Sequence, residues 1–546
     1  MAIPDQLLKK LAGKTLIQRA LDTAREVAPG RDIVVVTDSD EVRLICLRNE
    51  VGCVWDPAFA VRSQNIVASL EPVLQRLAGD YDGLIICRAS APLVGAEDIE
   101  DAWRRFLHSG RDCLVSVHSV RYRLWREEKI SLGGLLREGG EETAHVETKA
   151  LIMLRSAVFG RRKDGEVTIF PYFLHDRGVE INSYQDWWIC EKLLRRRRIV
   201  FVVAGYPAIG MGHVFRALML AHEITDHQII FVCTRESEQA AAGIAARDYR
   251  TTVQGGEDLA GSVLALRPHL VINDFLNTEE DYIRALRDAG CLVVNFEDEG
   301  AGAALADLVV NALYSVDTRG DGHCLYGHKY FCLRDEFMQA GRNVFRSRVN
   351  RLLITFGGTD PSGFTRKVLE ILYPECLALG ISIRVVVGPG YADLEDLERR
   401  IGEINSEAAE LQAAGFLELP AAEASFVAFS RATNVMSRMM EEVEMAVCAA
   451  GRTVYELAHM RIPAIVLAHH AREDMHAFAR ARNGFIYLGQ GESLDDEALE
   501  RAFTRLLDVP FRRELFQRMS RFDFTGNKAQ VVGRILDLFQ KRGDQP

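Results

Sequence analysis

Short apolar runs that alternate with longer amphipathic segments are the feature that most constrains the fold of this chain. The runs DIVVVTD (32–38), GLIICRAS (83–90) and DCLVSVHS (112–119) are compact and rich in β-branched residues. Between them, LIQRALDTAREVA (16–28) and AEDIEDAWRRFLHSG (96–110) repeat apolar residues at helical spacing. Apolar strands that alternate with helices predict an α/β fold with a parallel sheet covered on both faces.

The same alternation starts again twice further along the chain. New units begin at RIVFVVAGY (198–206) and at NRLLITFGGTD (350–360), and each has a glycine-rich loop after its first strand. Two successive units of this kind predict two Rossmann-like lobes that face a cleft. A chain of 546 residues is expected to form about three domains. We therefore predict domains at 1–196, 197–346 and 347–546.

Composition excludes several classes of protein. The net charge is −11 and the sequence has no basic stripe, so nucleic-acid binding is not predicted. The RRRR run at 195–198 is interpreted as a helix end beside the next strand. The 11 cysteines form no C-x-x-C pair, which indicates reduced thiols. The sequence contains no apolar run of about 18 residues, so no membrane span is predicted. The first residues lack the apolar core of a signal peptide. A cytoplasmic location is expected.

The stretch GMGHVFRALMLA (210–221) is the first candidate site. Gly210 and Gly212 suit a tight turn or the close approach of a ligand, and His213 follows at the mouth of a helix. The spacing is not that of a strict dinucleotide fingerprint. From the residues alone, His213 is either a catalytic residue or a helix-capping or packing histidine.

The third unit repeats this design in TFGGTD (355–360) and AAGRTVYELA (449–458). In the second of these, a Gly-Arg-Thr turn opens a helix, and Glu456 follows Gly451 by five residues. A phosphate would suit the start of that helix, and the carboxylate could hold ribose hydroxyls. The alternative is an ordinary strand–helix loop with a surface glutamate.

Two clusters of histidines invite comparison with metal sites. The first contains His469, His470 and His476, whose spacing is not that of a helical zinc pair, so this segment is interpreted as a loop over the nucleotide. The second contains His323, Cys324 and His328, for which no fourth ligand is apparent. Metal is not expected at either cluster.

The second half of the chain contains the motifs GMGHVFRALMLA, VINDFL (271–276), NFEDEGAGAALADLVVNALY (295–314), YFCLRDEF (330–337), TFGGTDPSG and AAGRTVYELA. With these motifs it resembles the UDP-sugar hydrolases of pseudaminic acid biosynthesis, which are similar to the muramyl-pathway glycosyltransferases. The resemblance implies a two-lobed fold of the glycosyltransferase-B kind, with His213 as the base that activates water and releases UDP. It also implies a sugar side formed by Gly210, Gly212, Arg216, Asp274 and Asp298. The implied nucleotide side contains Gly357, Gly358, Asp360, Gly451, Arg452, Thr453 and Glu456.

The first half contains the motifs LAGKTLIQRAL (11–21), VVVTDSDEV (34–42), RASAPLVGAEDI (88–99) and VEINSYQDWWICEKLL (179–194). With these motifs it resembles the cytidylyltransferases that activate sialic acid and related nonulosonates. It implies a Rossmann-like nucleotidyltransferase (glycosyltransferase-A-like) domain in which Asp38, Ser90, Glu147, Glu180 and Asn182 match site positions. An active enzyme of this kind would use Mg²⁺, with Glu180 as the candidate ligand.

The first half also departs from that family's pattern. The family's phosphate-binding loop would precede Met1; only Ile3-Pro4 remains, and Gln6 stands where the family's loop lysine is expected. The family's Asp-x-Asp metal site is Glu180-Ile181-Asn182 here, which carries less charge. These differences predict an impaired or non-catalytic half, or a misplaced start codon.

Together the two resemblances predict an enzyme of nonulosonate biosynthesis. Its expected partners are a UDP-sugar, CTP and a nonulosonic acid, with no cofactor for the hydrolase half and with a homodimer possible. Two alternatives stay open: a glycosyltransferase that passes the sugar to an acceptor, and a scaffold that binds sugar nucleotides without turnover.

Overall fold

The computed structural model describes residues 3–56, 65–122, 142–160, 165–206, 209–256, 258–314, 323–417, 425–431, 435–491 and 495–543. The chain divides into two compact units, Met1–Arg196 and Arg197–Pro546, which we call unit 1 and unit 2. The boundary falls inside the arginine run, where a helix ends at Arg195 and a strand begins at Arg198.

Unit 1 is an α/β domain. Its strands are β1 (Lys10–Leu11), β2 (Lys14–Thr15), β3 (Val34–Thr37), β4 (Gly52–Trp55), β5 (Gly83–Cys87), β6 (Cys113–Tyr122), β7 (Glu142–Arg155) and β8 (Ile169–Phe173). Its α-helices are α1 (Leu16–Val27), α2 (Asp40–Arg48), α3 (Ile66–Leu77), α4 (Ala96–Ser109) and α5 (Tyr184–Arg195). Short 3-10 helices span Gln6–Leu8, Gly30–Asp32, Ser156–Gly160 and His175–Gly178.

The sheet of unit 1 corrects one prediction. Strands β3 and β4 are parallel, but the four-stranded sheet β5-β7-β6-β8 is mixed, because β7 runs antiparallel to both β5 and β6. The expectation of a wholly parallel sheet is therefore wrong here. The buried stretch of β7 at 151–154 is a continuous apolar run. Such a run indicates burial on both faces and carries no information on strand direction.

The first part of unit 2 forms a seven-stranded parallel sheet in the order β11-β10-β9-β12-β13-β14-β15. The strands are β9 (Arg198–Val203), β10 (Gln228–Cys233), β11 (Arg250–Val253), β12 (Leu270–Asp274), β13 (Leu292–Phe296), β14 (Leu308–Asn311) and β15 (Cys324–Tyr326). The helices are α6 (Gly212–Glu223), α7 (Glu238–Ala245), α8 (Leu259–Leu264) and α9 (Glu280–Asp288), with 3-10 turns at Ala301–Leu305, His328–Tyr330 and Asp335–Phe337. We call residues 198–337 the amino lobe.

The second part forms a six-stranded parallel sheet in the order β18-β17-β16-β19-β20-β21. Its strands are β16 (Arg351–Thr355), β17 (Ser382–Val387), β18 (Val427–Arg431), β19 (Met445–Ala449), β20 (Ala464–Ala468) and β21 (Phe485–Gln490). The helices are α10 (Phe364–Leu379), α11 (Leu394–Ala413), α12 (Met436–Glu441), α13 (Thr453–Met460), α14 (Ala471–Asp474), α15 (Asp496–Leu507), α16 (Val509–Met519) and α17 (Asn527–Gly543), with a 3-10 turn at Ala481–Asn483. We call residues 351–507 the carboxyl lobe.

Both parallel sheets have the Rossmann strand order, with the first strand in the middle. The direction of winding reverses between β9 and β12 in the amino lobe and between β16 and β19 in the carboxyl lobe. Ligands of open α/β sheets bind outside the carboxyl ends of the strands at such switch points. Each lobe of unit 2 therefore offers one crevice, and the predicted glycine-rich loops follow β9, β16 and β19.

The lobes of unit 2 share a hydrophobic core. Helix α17 follows the carboxyl lobe in sequence, yet its Val531 and Ile535 belong to the buried cluster that contains Leu218 and Leu220 of α6. No helix among the described residues is both long and apolar enough to cross a membrane.

Candidate functional site

The turn between β9 and α6 presents the predicted histidine. Gly210 has a φ of +74°, a conformation that favours glycine. Helix α6 begins at Gly212, and no side chain caps it. His213 is the second residue of the helix, so it is not the capping residue.

His213 is fixed by a buried carboxylate. Its Nδ1 lies 2.7 Å from Oδ1 of Asp274, the last residue of β12, and Asp274 is fully buried while 17% of the His213 side chain is exposed. An ionised carboxylate only accepts hydrogen bonds, so Nδ1 is the donor in this contact, and the lone pair of a neutral ring would lie on Nε2. Within the described part of the chain, Nε2 of His213 has no hydrogen-bond partner.

Arg216 holds Asp274 from the next turn of α6. Its Nε donates to Oδ2 of Asp274 (2.7 Å) and its Nη2 donates to Oδ1 (2.6 Å). Burial would raise the pKa of Asp274, but the charge and hydrogen bonds of Arg216, together with His213, outweigh burial and hold the pKa below its usual range. Asp274 therefore stays ionised. Arg216 is itself buried and supports Asp274, and its predicted place on the sugar side stays a prediction.

Glu297 is a member of this cluster that the sequence did not single out. It accepts a hydrogen bond from Nη1 of Arg216 (2.9 Å) and is buried. Burial raises its pKa, although Arg216 opposes this effect. Glu297 has a φ of +52°, and such backbone strain in a non-glycine residue is often found at functional sites. The one sequence signal is its position directly after β13, in the motif NFED.

Asp298 has the geometry of a scaffold residue. Its Oδ1 accepts from the backbone N–H groups of Thr278 (3.0 Å) and Gly300 (2.8 Å). Its Oδ2 accepts from Oγ1 of Thr278 (2.6 Å) and Nδ2 of Asn295 (2.6 Å). Both oxygens are thus occupied and the side chain is buried. These contacts hold the loops around Asp298, and its predicted place on the sugar side stays a prediction.

The glycine-rich loop of the carboxyl lobe faces that of the amino lobe. Gly357 has a φ of +83°. A Cβ built at Gly358 would lie 3.6 Å from the backbone nitrogen of Met211 and 3.8 Å from Cα of Gly210. The two turns therefore approach each other across the interlobe cleft, at the switch points of both sheets.

Arg452 places a cation in the same cleft. A Cβ built at Gly212 would lie 3.5 Å from Cδ of Arg452. The guanidinium donates to the carbonyl of Cys332 (2.9 Å) and lies 4.7 Å from the ring centroid of Phe331. Burial and the neighbouring Arg216 lower the pKa of Arg452 to about 10, so it stays protonated at neutral pH. A positive charge in this position suits a phosphate group.

The turn after β19 leads directly into α13, which begins at Thr453. A Cβ at Gly451 would lie 3.6 Å from Oε1 of Glu473. Glu456 is buried and pairs through Oε1 with Nε of Arg334 (2.7 Å), a residue of the amino lobe. The start of α13 and these charged groups thus lie along the border between the lobes.

Asp360 caps the start of helix α10 through its carboxylate. Its carboxylate oxygens accept from the backbone N–H groups of Phe364 (2.9 Å) and Thr365 (2.7 Å), the first residues of α10. Asp360 thus supports the start of this helix, and its predicted role in nucleotide binding stays a prediction.

The first histidine cluster is dispersed. Nδ1 of His469 is 3.0 Å from Oγ of Ser362, and Nδ1 of His476 is 2.7 Å from the carbonyl of Ala450. His470 precedes the short helix α14, so the predicted loop contains a helical turn. No group of three His, Cys, Asp or Glu residues able to hold a metal occurs in the described ranges.

In unit 1 three of the matched site positions, Ser90, Glu180 and Asn182, lie together beside Arg88. Nη1 of Arg88 lies 2.8 Å from Oε1 of Glu180, and Oγ of Ser90 donates to the same oxygen (3.1 Å). Nδ2 of Asn182 donates to the backbone carbonyl of Glu180 (3.2 Å). Magnesium prefers several carboxylate or carbonyl oxygens. Because the charge of Glu180 is already paired with Arg88, these residues do not fit a magnesium site.

Gln6 contacts the neighbour of Glu180, whereas the matched positions Asp38 and Glu147 do not contact Glu180 among the described residues. Nε2 of Gln6 donates to the carbonyl of Ile181 (2.7 Å), so the start of the chain reaches the segment that carries Glu180. Asp38 is exposed after β3, and Glu147 is exposed on β7. Neither Asp38 nor Glu147 contacts Glu180 among the described residues.

Fold and site together define a nucleotidyltransferase-type domain followed by a two-lobed, glycosyltransferase-B-like unit. Residues 2–177 match the family model of the MobA-like NTP transferase domain. For unit 2, the assignment follows from the strand orders of its two parallel sheets. The family match covers most of unit 1, and the comparison for unit 2 concerns its fold.

Particular relatives are distant. The chain is 25% identical over 287 residues to an uncharacterized protein of Methanocaldococcus jannaschii, covering 50% of this chain and 55% of that protein, or just over half its length. It is 23% identical over 330 residues to the spore coat polysaccharide biosynthesis protein SpsG of Bacillus subtilis, covering 58% of this chain and 91% of that protein. Among solved structures, MurG of Acinetobacter baumannii aligns with a TM-score of 0.44 and 16% identity, over 62% of this chain and 99% of MurG.

Proposed function

We propose that unit 2 is a UDP-sugar hydrolase of nonulosonic acid biosynthesis, with a UDP-diacetamido-trideoxy-hexose of the pseudaminic acid pathway as its substrate. The observation that carries the proposal is the 2.7 Å contact between Nδ1 of His213 and the buried Asp274. This contact leaves Nε2 available at the crevice of the amino lobe. A general base needs such a fixed and accessible lone pair.

In the proposed reaction, Nε2 of His213 accepts a proton from a water molecule. The water oxygen forms a bond to the anomeric carbon of the sugar as the bond from that carbon to the β-phosphate oxygen breaks. UDP leaves with the electron pair of that bond. Asp274 stabilises the imidazolium that forms, as the carboxylate does in other aspartate–histidine pairs.

The carboxyl lobe would bind the nucleotide. Gly357 and Gly358 allow close approach of a ligand to the backbone, and the start of α13 at Thr453 offers unpaired N–H groups. Arg452 would neutralise the departing diphosphate, as preorganised cations do in phosphate chemistry. Glu456 would accept a ribose hydroxyl through Oε2 while Arg334 holds Oε1.

For unit 1 we propose a nucleotidyltransferase-type domain with little or no transfer of CMP to a nonulosonic acid. The pairing of Glu180 with Arg88 supports this proposal, because it removes the free carboxylate that a metal would need. The name of the Bacillus relative, a polysaccharide biosynthesis protein, supports a role in building a surface sugar. The test is pyrophosphate release from CTP, a nonulosonic acid and Mg²⁺.

The main test measures UDP release from the UDP-diacetamido-trideoxy-hexose without an acceptor. His213→Ala is compared with His222→Ala, which changes an exposed histidine at the other end of α6. We expect release by the wild type and by His222→Ala, and a loss of roughly a hundredfold or more in His213→Ala. UDP release only after an acceptor is added would make unit 2 a transferase. Binding of UDP without any turnover would make it a scaffold.

A further inference from the structure

Arg472 of α14 makes three hydrogen bonds from the carboxyl lobe to the amino lobe. Nη2 of Arg472 donates to the carbonyl of Glu297 (2.5 Å), and Nε donates to the hydroxyl of Tyr314 (2.8 Å). Nη1 donates to Oδ1 of Asn277 (2.8 Å). All three acceptors belong to the amino lobe, so each nitrogen of the Arg472 guanidinium makes a hydrogen bond between the lobes.

The segment beside Tyr314 is held by the carboxyl lobe as well. The hydroxyl of Tyr455 donates to the carbonyl of Ala312 (3.2 Å), and the backbone nitrogen of Ala477 donates to the carbonyl of Leu313 (3.3 Å). The backbone nitrogen of Leu313 in turn donates to Oε2 of Glu297 (3.4 Å). The carboxyl lobe therefore contacts Glu297 directly at its carbonyl and indirectly at its carboxylate.

Glu297 connects these interlobe contacts to the histidine. Its Oε1 accepts from Nη1 of Arg216, and Arg216 grips both oxygens of Asp274, which holds His213. The φ of +52° at Glu297 is a conformation that persists only when its surroundings hold it. Loss of the hydrogen bond from Arg472 to the carbonyl of Glu297, and of that from Leu313 to its carboxylate, would remove two of the contacts that hold Glu297.

We propose that Arg472 is a positioning residue, which through Glu297 and Arg216 orients the His213–Asp274 pair when the cleft is closed. The proposal rests on the proposed hydrolysis. In the open cleft Glu297 loses its interlobe contacts, and Arg216 and Asp274 are free to shift. A misplacement of about 1 Å is enough to lower a rate by roughly a hundredfold. Water activation is thereby confined to the state in which both lobes surround the sugar nucleotide.

The kinetic test compares Arg472→Gln, Arg472→Lys and a matched control, Arg480→Gln. Arg480 donates to the carbonyls of Ala479 and Asp474, both within the carboxyl lobe. We expect Arg472→Gln to lower kcat by roughly tenfold or more while KM and the affinity for UDP change by less than about threefold. Arg472→Lys should recover part of kcat, and Arg480→Gln should resemble the wild type. An unchanged kcat, or a parallel loss of UDP affinity, would overturn the proposal.

A second measurement keeps this inference separate from the hydrolase proposal. Amide hydrogen exchange of the 308–314 segment is followed in the full chain without substrate. Arg472→Gln should speed exchange in that segment, because the contacts around Leu313 loosen, whereas Arg480→Gln should leave it unchanged. Equal exchange in both variants would refute the positioning role. If the wild type shows no hydrolysis at all, the proposed function fails while this measurement still decides whether Arg472 holds Glu297.

Discussion

At the scale of single residues, Asp274 combines two tasks. It orients His213, and it compensates the buried charge of Arg216 through two hydrogen bonds. Its carboxylate is fully buried, so both tasks take place where water screens little. A change at this position should therefore affect activity and stability together.

Asp274→Asn tests both tasks. The amide no longer fixes the Nδ1–H tautomer of His213, so we expect UDP release to fall by roughly a thousandfold or more. It also leaves Arg216 without its closest negative charge, and breaking a buried ion pair costs about 3–5 kcal/mol. The measurements are kcat for UDP release and the thermal midpoint. Asp281→Asn removes an exposed carboxylate on α9 and should leave both unchanged. Full activity in Asp274→Asn would contradict the assigned role of the pair.

The sequence predicted some of these residues and missed others for physical reasons. His213 and Asp274 follow strand ends, and the carboxyl ends of neighbouring parallel strands meet at one edge of a sheet. The contact of Glu297 with Arg472 spans 175 positions and depends on how the two lobes pack. Asp298 follows the same strand as Glu297, and only the structure shows that donors from its own lobe occupy its two oxygens.

At the scale of elements, helix α13 carries a buried histidine, His459, in its last turn. His459 is buried, and its ring lies 6.3 Å from that of Phe524. Burial, together with Arg342, lowers the pKa of His459, and burial likewise lowers the pKa of His476 and of His328. The fold therefore favours the neutral form of these imidazoles.

We expect the stability of unit 2 to fall in mild acid. The folded-state pKa of His459 lies below that of the unfolded chain, so the unfolded state binds protons first as the pH drops. Its stabilising effect is complete above the unfolded value of about 6.5 and is lost as the pH falls through the folded value. The thermal midpoint should decrease between about pH 7.5 and pH 5.5. His459→Gln should reduce that slope.

The control for this pH dependence is His222→Gln, which changes an exposed histidine on α6. It should leave the slope of the wild type intact. An equal slope in His459→Gln and the wild type would show that other groups cause the acid sensitivity.

The side-chain pattern predicted the positions of strands in unit 2 but not the direction of a strand in unit 1. The apolar runs that begin at 198 and 350 contain the strands β9 and β16, as their short length and β-branched residues predict. The antiparallel direction of β7 could not be predicted, since a strand buried on both faces has the same pattern in either direction.

At the scale of the whole molecule, helix α17 joins the end of the chain to the amino lobe of unit 2. Lys528, near its start, pairs with Glu223 at the end of α6 (2.5 Å) and with Asp335. Burial lowers the pKa of Lys528, but the two carboxylates outweigh burial and raise it above its usual value. The pairing adds a charged contact to the apolar packing of this helix.

Lys528→Met should weaken the docking of α17. The lysine is 7% exposed but its partners are about half exposed, so we expect a loss of about 1–2 kcal/mol. Limited proteolysis should then cut the chain near α17 faster, and the thermal midpoint should fall. Lys367→Met alters a more exposed pair with Asp496 and should change stability by less than about 0.5 kcal/mol. Equal effects of both variants would argue against a special role for Lys528.

The central claim is that His213 activates water against the anomeric carbon of a UDP-sugar. Its most direct test is the reaction of the intact chain with the UDP-diacetamido-trideoxy-hexose in ¹⁸O-labelled water, with both products analysed by mass at once. The account predicts that the label enters the released sugar and that UDP carries none. Label in the β-phosphate of UDP, or no product until a sugar acceptor is added, would contradict it.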